Sequence, residues 1–275
     1  MADTQQQAGQ QAGQGEGEGV RLELAGRDFS AEARACLRIY APVVLHSHSS
    51  LEYEVPSEEV SVRVRTRTHT VCTVCVGPSE VTSCDVCVCV YVCVCVCVQE
   101  FAERMRVCSE RFPWLLAKHP TLGIVGYAYA TSYKARAAYR WTVETSVYVS
   151  RDCHRMHVGS KLYKCLFSIL TELNIRSIFV CIGVPNENSF AFHRRMGFED
   201  AGLFRRAGFK RGRWVDSAWL QKFLPEQDDP HPSATEPFEE DLDRVLPEPL
   251  PVTSLSAEQL EGLLRLEQPN KTTCS

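Results

Sequence analysis

Alternating apolar and polar positions between residues 141 and 150 predict a long β-strand that carries one carboxylate, Glu144. After Asp152 the apolar residues recur at helical spacing, which predicts a helix over 158–173. A half-buried carboxylate is costly unless it is paired or used in chemistry. The following strand-to-helix junction directs free backbone N–H groups at one point, where an anion is favoured. A candidate base therefore lies next to a candidate phosphate site.

The remaining pattern predicts a core from Val20 to about Leu224. Predicted strands cover 20–24, 114–117, 124–131, 141–150 and 177–182, and two more lie within 201–223. Predicted helices comprise one capped by Ser30, one through Phe101 and Met105, the helix 158–173, and one from near Asn186 to Gly197. Strands and helices alternate without strict βαβ repetition. This order favours the α/β class, with a mixed sheet covered by helices.

Both ends of the chain have the composition of solvated tails. Residues 1–19 consist mainly of Gln, Gly, Ala and Glu and are expected to be disordered, without the pattern of a secretory signal. Residues 225–275 form an acidic, proline-rich tail that we also expect to be disordered. Within it, Ser256 and Gln259 have the spacing of a capping box, which predicts a short helix with Leu260, Leu263 and Leu264. We expect that helix to be marginal and without a partner.

Residues 60–99 interrupt the core with a low-complexity block rich in valine and cysteine. Residues 86–98 read VCVCVYVCVCVCV, which is the translation of a TG dinucleotide repeat. The codons for Val60-Ser61 can have the nucleotide sequence of a splice donor, and the codon for Gln99 can have that of a splice-acceptor ending. Removing the block joins EVPSEE to EFAERM. We interpret it as a retained intron or a gene-model artefact. The rival interpretation is a zinc site, because Cys72-x-x-Cys75 and Cys84-x-x-Cys87 have the spacing of zinc ligands.

Composition narrows the compartment and the partners. The formal net charge is −4, partly owing to the acidic tail, and eight of the 14 cysteines fall in the inserted block. The other cysteines are scattered, as is typical of reduced thiols in a cytoplasmic protein. The longest apolar run has 13 residues and is too short to span a bilayer. We expect no nucleic-acid partner, no membrane partner and no metal.

Five segments carry a resemblance to a known family, namely RIYAPVV, FPWLLA, GYAYATSYKARAAYRWTVETSVYVS, IGVPNENSFAFHRRMGF and AGFKRGRWVDSAWLQ. In order and spacing they resemble the phosphinothricin/methionine-sulfone N-acetyltransferase group of the GNAT superfamily. The resemblance implies a GNAT-like three-layer α/β/α fold over residues 20–224, with a central mixed, largely antiparallel sheet. It also implies acetyl-CoA as the co-substrate, a small primary amine as the acceptor, and a homodimer, since such enzymes are often dimers.

Two catalytic roles follow from this resemblance. Glu144 resembles the family's catalytic glutamate in W-T-x-E, and the alternative is a structural carboxylate paired with Arg136 or Arg140. His193 lies four residues before Gly197-Phe198, where many GNAT enzymes carry a tyrosine acid and the phosphinothricin group a histidine. It is expected to act as an acid, as a proton relay or as a partner that tunes Glu144. The alternative is a packed or surface histidine.

The expected acetyl-CoA site departs from the superfamily pattern at one loop. The signature Gln/Arg-x-x-Gly-x-Gly/Ala reads His154-Arg-Met-His157-Val-Gly159 here. Glycine lets the backbone approach a pyrophosphate closely, so His157 either weakens CoA binding or compensates as a phosphate ligand. The expected cofactor-binding residues are Val147, Tyr148, Val149, His154, Arg155, His157, Val158, Gly159, Ser160 and Asn186. Asn186 is equally compatible with an ordinary helix N-cap.

The acceptor is the least determined part of the hypothesis. Arg136, Tyr139 and Tyr148 fall where the resembling enzymes contact an amino-acid-like substrate, and Arg136 is suited to a carboxylate. The leading hypothesis for the function is N-acetylation of a small primary amine. The expected amine is an L-amino acid or an analogue. The alternatives are a protein or peptide N-acetyltransferase and a CoA-binding protein without turnover, which the insert and His157 favour.

Overall fold

The computed structural model describes residues 19–47, 50, 52, 64–65, 71–72, 86–224 and 247–266. Within these ranges a seven-stranded sheet runs in the order β1-β4-β5-β6-β7-β9-β8, and a short β2-β3 hairpin lies within the inserted block. The strands are β1 Arg21–Leu24, β2 Val64–Arg65, β3 Val71–Cys72, β4 Trp114–His119, β5 Gly123–Ser132, β6 Thr142–Val149, β7 Ser177–Val184, β8 Glu199–Lys210 and β9 Arg213–Phe223.

The large sheet is mixed and largely antiparallel, as expected. Its one parallel pair is β6 with β7, and every other neighbouring pair is antiparallel. The parallel connection needs a crossover, which α3 supplies. The helices are α1 Phe29–His46, α2 Val86–Ser109, α3 Val158–Glu172, α4 Glu187–Arg195 and α5 Ala257–Arg265.

Each face of the sheet has its own hydrophobic core, so the fold has three layers. On one face, α3 buries Leu162, Leu166 and Ile169 against alternate residues of the strands, such as Val143 and Ile178. On the other face, α1 and the second half of α2 pack against Trp114, Leu116 and Tyr127. The strand residues therefore alternate between the two cores with the period of two that the sequence shows. The three-layer α/β/α fold is confirmed.

Two local predictions about helices require correction. The N-cap of α1 is Asp28 and not Ser30, because the Asp28 carboxylate accepts hydrogen bonds from the N–H groups of Ser30 and Ala31, both at 3.1 Å. The helix expected around Phe101 and Met105 is present, but α2 begins at Val86 and so extends into the inserted block. Cys75 and Cys84 lie outside the described residues, as do residues 1–18, so the zinc interpretation and the predicted N-terminal tail are not tested by the structure.

Within the predicted C-terminal tail, residues 247–266 are folded where disorder was expected. Residues 247–266, named the strap here, run along the core and end in α5. Ser256 and Gln259 form the predicted capping box, with N–H to side-chain distances of 2.8 and 3.2 Å. Val252 is buried within the core on the α3 face. Leu260, Leu263 and Leu264 pack against the same core, so α5 does have a partner. Apolar burial stabilises this short helix, which its length alone would not.

None of the helices within the described ranges is both long enough and apolar enough to cross a membrane.

Candidate active site

Strands β6 and β7 separate at Glu144. Their parallel pairing joins Thr142 to Ser177, Val143 to Ile178 and Glu144 to Phe179, and does not continue beyond. From that point β6 stays paired with β5, and β7 stays paired with β9. A wedge-shaped gap therefore opens between residues 145–149 and residues 180–184.

The main chain of β6 presents hydrogen-bonding groups to this gap. The Ser150 N–H donates to the Val125 carbonyl at 2.8 Å, and the Thr142 carbonyl accepts from the Tyr133 N–H at 3.4 Å. Even-numbered residues of β6 thus direct their main-chain groups towards β5, and odd-numbered residues direct theirs towards β7. The N–H groups of Val147 and Val149 consequently face the gap.

Tyr148 differs from Val147 and Val149 in the direction of its main-chain groups. As an even-numbered residue it turns its main-chain groups to β5, where it pairs with Tyr127. Its ring packs between Tyr40 and Tyr127, at centroid distances of 5.0 and 5.1 Å. Burial raises the pKa of the Tyr148 hydroxyl well above its usual value. The main chain of Tyr148 is therefore not oriented towards a cofactor in the gap, and its side chain belongs to the face that carries Glu144.

The loop before α3 has the backbone shape of an anion site. His157 adopts the left-handed conformation (φ 57°, ψ 12°), and its side chain does not cap α3. Arg155 also has a positive φ of 67°. The first-turn N–H groups of Val158, Gly159 and Ser160 have no acceptors within the helix itself. Left-handed geometry costs an L-residue about 1–2 kcal/mol, which explains why glycine is usual at this position. His157 maintains the loop conformation at that cost.

Side chains around the same loop add positive charge and order. Arg151, His154, Arg155 and His157 are all exposed, so their charged or polar ends are available to a ligand. The His154 Nε2 atom lies 3.2 Å from the Val149 carbonyl, which attaches the loop to the end of β6. Positive groups at a helix N-terminus favour a diphosphate.

Close packing brings α3 against β5 beneath this loop. A Cβ atom at Gly126 would lie 3.1 Å from both the Tyr148 carbonyl and the Val158 side chain. Glycine at position 126 therefore lets the N-terminus of α3 approach the sheet. This requirement was not recognised from the sequence.

Asn186 is the N-cap of α4. Its side-chain oxygen accepts a hydrogen bond from the Ser189 N–H at 3.3 Å. The capping interpretation is thus confirmed. Since α4 follows β7 at the wide end of the gap, the position also remains compatible with a predicted cofactor contact.

Glu144 is half-buried on the face of the sheet that carries α1 and α2. Burial raises the pKa of Glu144 above its ordinary value, and the nearby Lys134 ammonium partly opposes this effect. The ion pairs found among the described residues do not include Glu144, and Arg140 pairs with Glu248 of the strap instead. Glu144 therefore lacks the ion pair that the structural alternative requires. A carboxylate with a raised pKa is suited to accept a proton near neutral pH.

Aromatic rings surround Glu144 on this face. Tyr133 stacks on Phe179, the β7 residue opposite Glu144, with ring centroids 4.6 Å apart. The Trp219 ring meets Tyr133 edge-on at 5.8 Å. On the other side, Tyr129 stacks on Trp114 at 4.1 Å. These rings form an apolar rim around the carboxylate, and the sequence prediction did not include Tyr129, Phe179 or Trp219.

An ion pair lies on the same face and was also missed. Arg104 of α2 contacts Glu52 at 3.1 Å, and both side chains are more than a third exposed. A hydrogen bond from the Glu52 N–H to the Ser50 hydroxyl, at 3.1 Å, holds the main chain of Glu52. Burial raises the pKa of Tyr129; the Arg104 guanidinium opposes this rise and the Glu144 carboxylate adds to it, so both charges act on one tyrosine. Their sequence separation hid this arrangement.

The predicted acceptor residues Arg136 and Tyr139 lie on the segment between β5 and β6. Arg136 is exposed at the start of a 3₁₀ turn, Ala137–Tyr139. Tyr139 is 40% exposed and meets Tyr133 edge-on at 5.6 Å. Through Tyr133, the segment is continuous with the aromatic rim around Glu144.

His193 is buried on the opposite face of the sheet from Glu144. Its Nδ1 atom lies 2.8 Å from the Ser189 carbonyl, which can only accept, so Nδ1 carries the proton. Nε2 then accepts from the Tyr163 hydroxyl at 3.1 Å. Tyr163 in turn lies 3.5 Å from the Thr145 hydroxyl, which is on the face away from Glu144. His193 is therefore not positioned as a direct partner of Glu144.

Burial lowers the pKa of His193 to about 4. The imidazole is consequently neutral near neutral pH, because desolvation disfavours its charged form. A role as imidazolium acid is disfavoured under these conditions. The geometry instead suits a neutral histidine that fixes Tyr163 beside the gap.

Comparison with known proteins gives the same picture. Residues 97–219 match the family model described as an acetyltransferase (GNAT) domain. The chain is 38% identical over 124 residues to a phosphinothricin N-acetyltransferase of Streptomyces viridochromogenes, covering 45% of this chain and 67% of that protein. It is 31% identical over 132 residues to an L-amino acid N-acyltransferase of Escherichia coli, covering 44% and 77%.

A solved structure supports the assignment. The crystal structure of a GNAT superfamily phosphinothricin acetyltransferase from Sinorhizobium meliloti, in complex with AcCoA, has a TM-score of 0.57 and 28% identity to this chain. The alignment covers 80% of this chain and 94% of that one. Together with the separated strands and the loop before α3, these similarities show that the chain belongs to the GNAT family of acetyltransferases.

Proposed function

We propose that the protein transfers an acetyl group from acetyl-CoA to the amino group of a small primary amine, an L-amino acid or an analogue. The observation that carries the proposal is a half-buried carboxylate of raised pKa, Glu144, at the point where β6 and β7 separate. The relatives named as phosphinothricin N-acetyltransferases and as an L-amino acid N-acyltransferase support this acceptor class.

Glu144 is the proposed general base. An ammonium group has no lone pair, and its pKa of about 8–10 leaves it mainly protonated at neutral pH. Glu144 accepts one proton from it, directly or through one water molecule. The amine nitrogen then attacks the thioester carbonyl and the carbon–sulfur bond breaks. The departing thiolate takes the second proton from the nitrogen, which leaves the neutral amide and the CoA thiol. No acyl-enzyme intermediate is needed in this direct transfer.

The main chain supplies the other half of the site. We assign the N–H groups of Val147 and Val149 to the thioester oxygen and the pantetheine arm, because these groups face the gap. N–H groups in the first turn of α3, with Arg155 and His154 beside them, are assigned to the diphosphate. Fixed donors aimed at developing negative charge lower the barrier without further reorganisation.

His193 and Tyr163 are proposed as positioning residues for this arrangement. Because His193 is neutral and its Nδ1 proton is bonded to Ser189, its task is to orient the Tyr163 hydroxyl and the N-terminal part of α4. This assignment replaces the imidazolium acid considered from the sequence.

Acceptor recognition is assigned to the face that carries Glu144. The aromatic rim contributes an apolar surface, and Arg136 and Tyr139, the acceptor residues expected from the sequence, lie on the segment next to it. We add Arg104 as a second candidate cation for the carboxylate of an amino acid, since it shares this face with Glu144. Glu52 orients it from the other side.

The alternative of a CoA-binding protein without turnover rests on the departure at His157 and on the inserted block. The left-handed backbone at His157 weakens that alternative, because the loop conformation is retained despite the histidine. The alternative of a peptide or protein acceptor rests on the acidic segment 225–246, which lies outside the described residues.

The test is a thiol-release assay with acetyl-CoA across L-amino acids, their decarboxylated amines and peptides, for the chain with and without residues 60–99. Glu144→Gln is expected to keep acetyl-CoA affinity and to lose transfer by roughly 10²–10⁴-fold, the usual contribution of a general base. Unchanged turnover in that variant would return Glu144 to a structural role. If none of the tested acceptors causes thiol release from acetyl-CoA, the acetyltransferase proposal itself is contradicted.

A further inference from the structure

The strap contacts the start of β6, three residues before Glu144. The Trp141 indole N–H donates to the Pro247 carbonyl at 2.8 Å. Arg140 donates from one nitrogen to both carboxylate oxygens of Glu248, at 2.7 and 2.9 Å. The Arg140 guanidinium also lies over the Trp141 ring, 4.6 Å from its centroid. The two residues immediately before β6 are thus held by two consecutive residues of the strap.

The strap is itself attached to rigid parts of the core. The Glu248 carbonyl accepts from the Asn174 side chain at 3.0 Å, and the Leu250 N–H donates to the Leu173 carbonyl at 3.0 Å. Further along, the Val252 N–H donates to the Arg111 carbonyl at 2.9 Å. Beyond Val252, α5 packs on the core of the α3 face. The backbone of Glu248 is therefore fixed to the core, and its carboxylate pairs with Arg140 from this fixed position.

The residues that the strap holds, Arg140 and Trp141, end the segment that carries the predicted acceptor residues. Residues 133–141 join β5 to β6 and carry Arg136 and Tyr139. All of them except Tyr133 and Trp141, which are partly buried, are exposed. Within the segment, local hydrogen bonds close only a single 3₁₀ turn, from Tyr139 to Arg136 and from Arg140 to Ala137. The Trp141 carbonyl accepts from the N–H groups of Arg176 and Ser177 at 2.9 and 3.2 Å, so the main chain at the end of the segment is fixed. The position of the turn before it relative to Glu144 then depends on what holds the Arg140 and Trp141 side chains.

The residues that match the acetyltransferase domain are 97–219, so the strap follows the matched region.

We propose that Glu248 and the Pro247 carbonyl are positioning groups for acceptor binding. They hold Arg140 and Trp141 so that the segment 133–141 presents Arg136 and Tyr139 at a fixed distance from Glu144. This inference rests on the proposed acetyltransferase function for its kinetic consequence, but its structural consequence can be measured without activity.

The first measurement is amide hydrogen exchange on the full chain. Glu248→Gln removes the charge that pairs with Arg140 and keeps the shape of the side chain. Trp141→Phe removes the indole N–H that donates to Pro247 and leaves an aromatic ring in place. Each is expected to speed exchange in residues 136–141 by about two- to fivefold, the range for an exposed ion pair or one hydrogen bond. Exchange in α3 should not change. Glu261→Gln is the matched control, because Glu261 pairs with Arg265 on the exposed side of α5 and does not touch the segment.

The second measurement is kinetic. The same two variants should raise the KM for the acceptor by about two- to fivefold and leave the KM for acetyl-CoA unchanged. Arg140→Glu alone and Glu248→Arg alone should each raise the KM for the acceptor. The double variant that carries both changes swaps the charges and should bring this KM a good part of the way back to the wild-type value. Equal rises in both KM values would indicate a general structural role and overturn the proposal.

The two proposals fail in different ways. Unchanged exchange in residues 136–141 in both variants would refute the positioning role of the strap, whatever the activity. Faster exchange there, with no acetyl transfer to any acceptor, would support the strap and count against the proposed function.

Discussion

Replacement of His193 by glutamine tests whether this histidine is buried in its neutral form. Its side chain is 7% exposed, and burial lowers its pKa from 6.5 to about 4. Between these two pH values the unfolded chain binds a proton at His193 and the folded protein does not. Folding stability is therefore complete above pH 6.5 and falls as the pH drops towards 4. At about 1.4 kcal/mol for each tenfold change in proton affinity, the loss is about 3 kcal/mol.

His193→Gln removes the titration, and its amide can still accept from the Tyr163 hydroxyl. Urea unfolding of wild type and variant, followed by tryptophan fluorescence from about pH 4 to about pH 7.5, gives the free energy of unfolding at each pH. The wild type should lose about 3 kcal/mol more than the variant across this range. The comparison uses the pH dependence, so a uniform cost of the lost hydrogen bonds does not affect it.

The matched control is His46→Gln, which replaces an exposed imidazole at the end of α1. It should retain the decline of the wild type. Parallel curves for the wild type and His193→Gln would refute the buried neutral state and would restore His193 as a candidate imidazolium acid.

Three further predictions concern Glu144, the loop before α3 and the inserted block. The acid limb of kcat/KM should follow the raised pKa of Glu144. Since Lys134 lowers that pKa, Lys134→Gln should move the limb to higher pH and Lys134→Arg should leave it in place; a limb that stays fixed in both would exclude Glu144 as the titrating base. In chemical denaturation, His157→Gly should be more stable than His157→Ala by about 1 kcal/mol, because only glycine is free of the left-handed cost; equal stabilities would contradict the positive φ. Transcript sequencing should show EVPSEE joined to EFAERM as the major message, and a dominant message that retains the repeat would contradict the retained-intron interpretation.

Local periodicity in the sequence determined the elements of the core. The alternation over 141–150 and the helical spacing over 158–173 predicted β6 and α3 closely, because each depends on side chains that are neighbours in the chain. The capping box of Ser256 and Gln259 was found for the same reason. The family resemblance added the topology, and the mixed sheet with its gap at Glu144 confirmed it.

Contacts between distant parts of the chain could be decided only by the tertiary structure. The sequence shows that Val252, Leu260 and Leu263 are apolar, but not that the core on the α3 face has room for them, so the strap was mistaken for a solvated tail. Likewise, His193 lies on the opposite face of the sheet from Glu144, because α4 packs it against Tyr163 of α3, beside Thr145, whose side chain points away from the Glu144 face of β6. Burial, which depends on neighbours from the whole fold, raises the pKa of Glu144 and lowers that of His193.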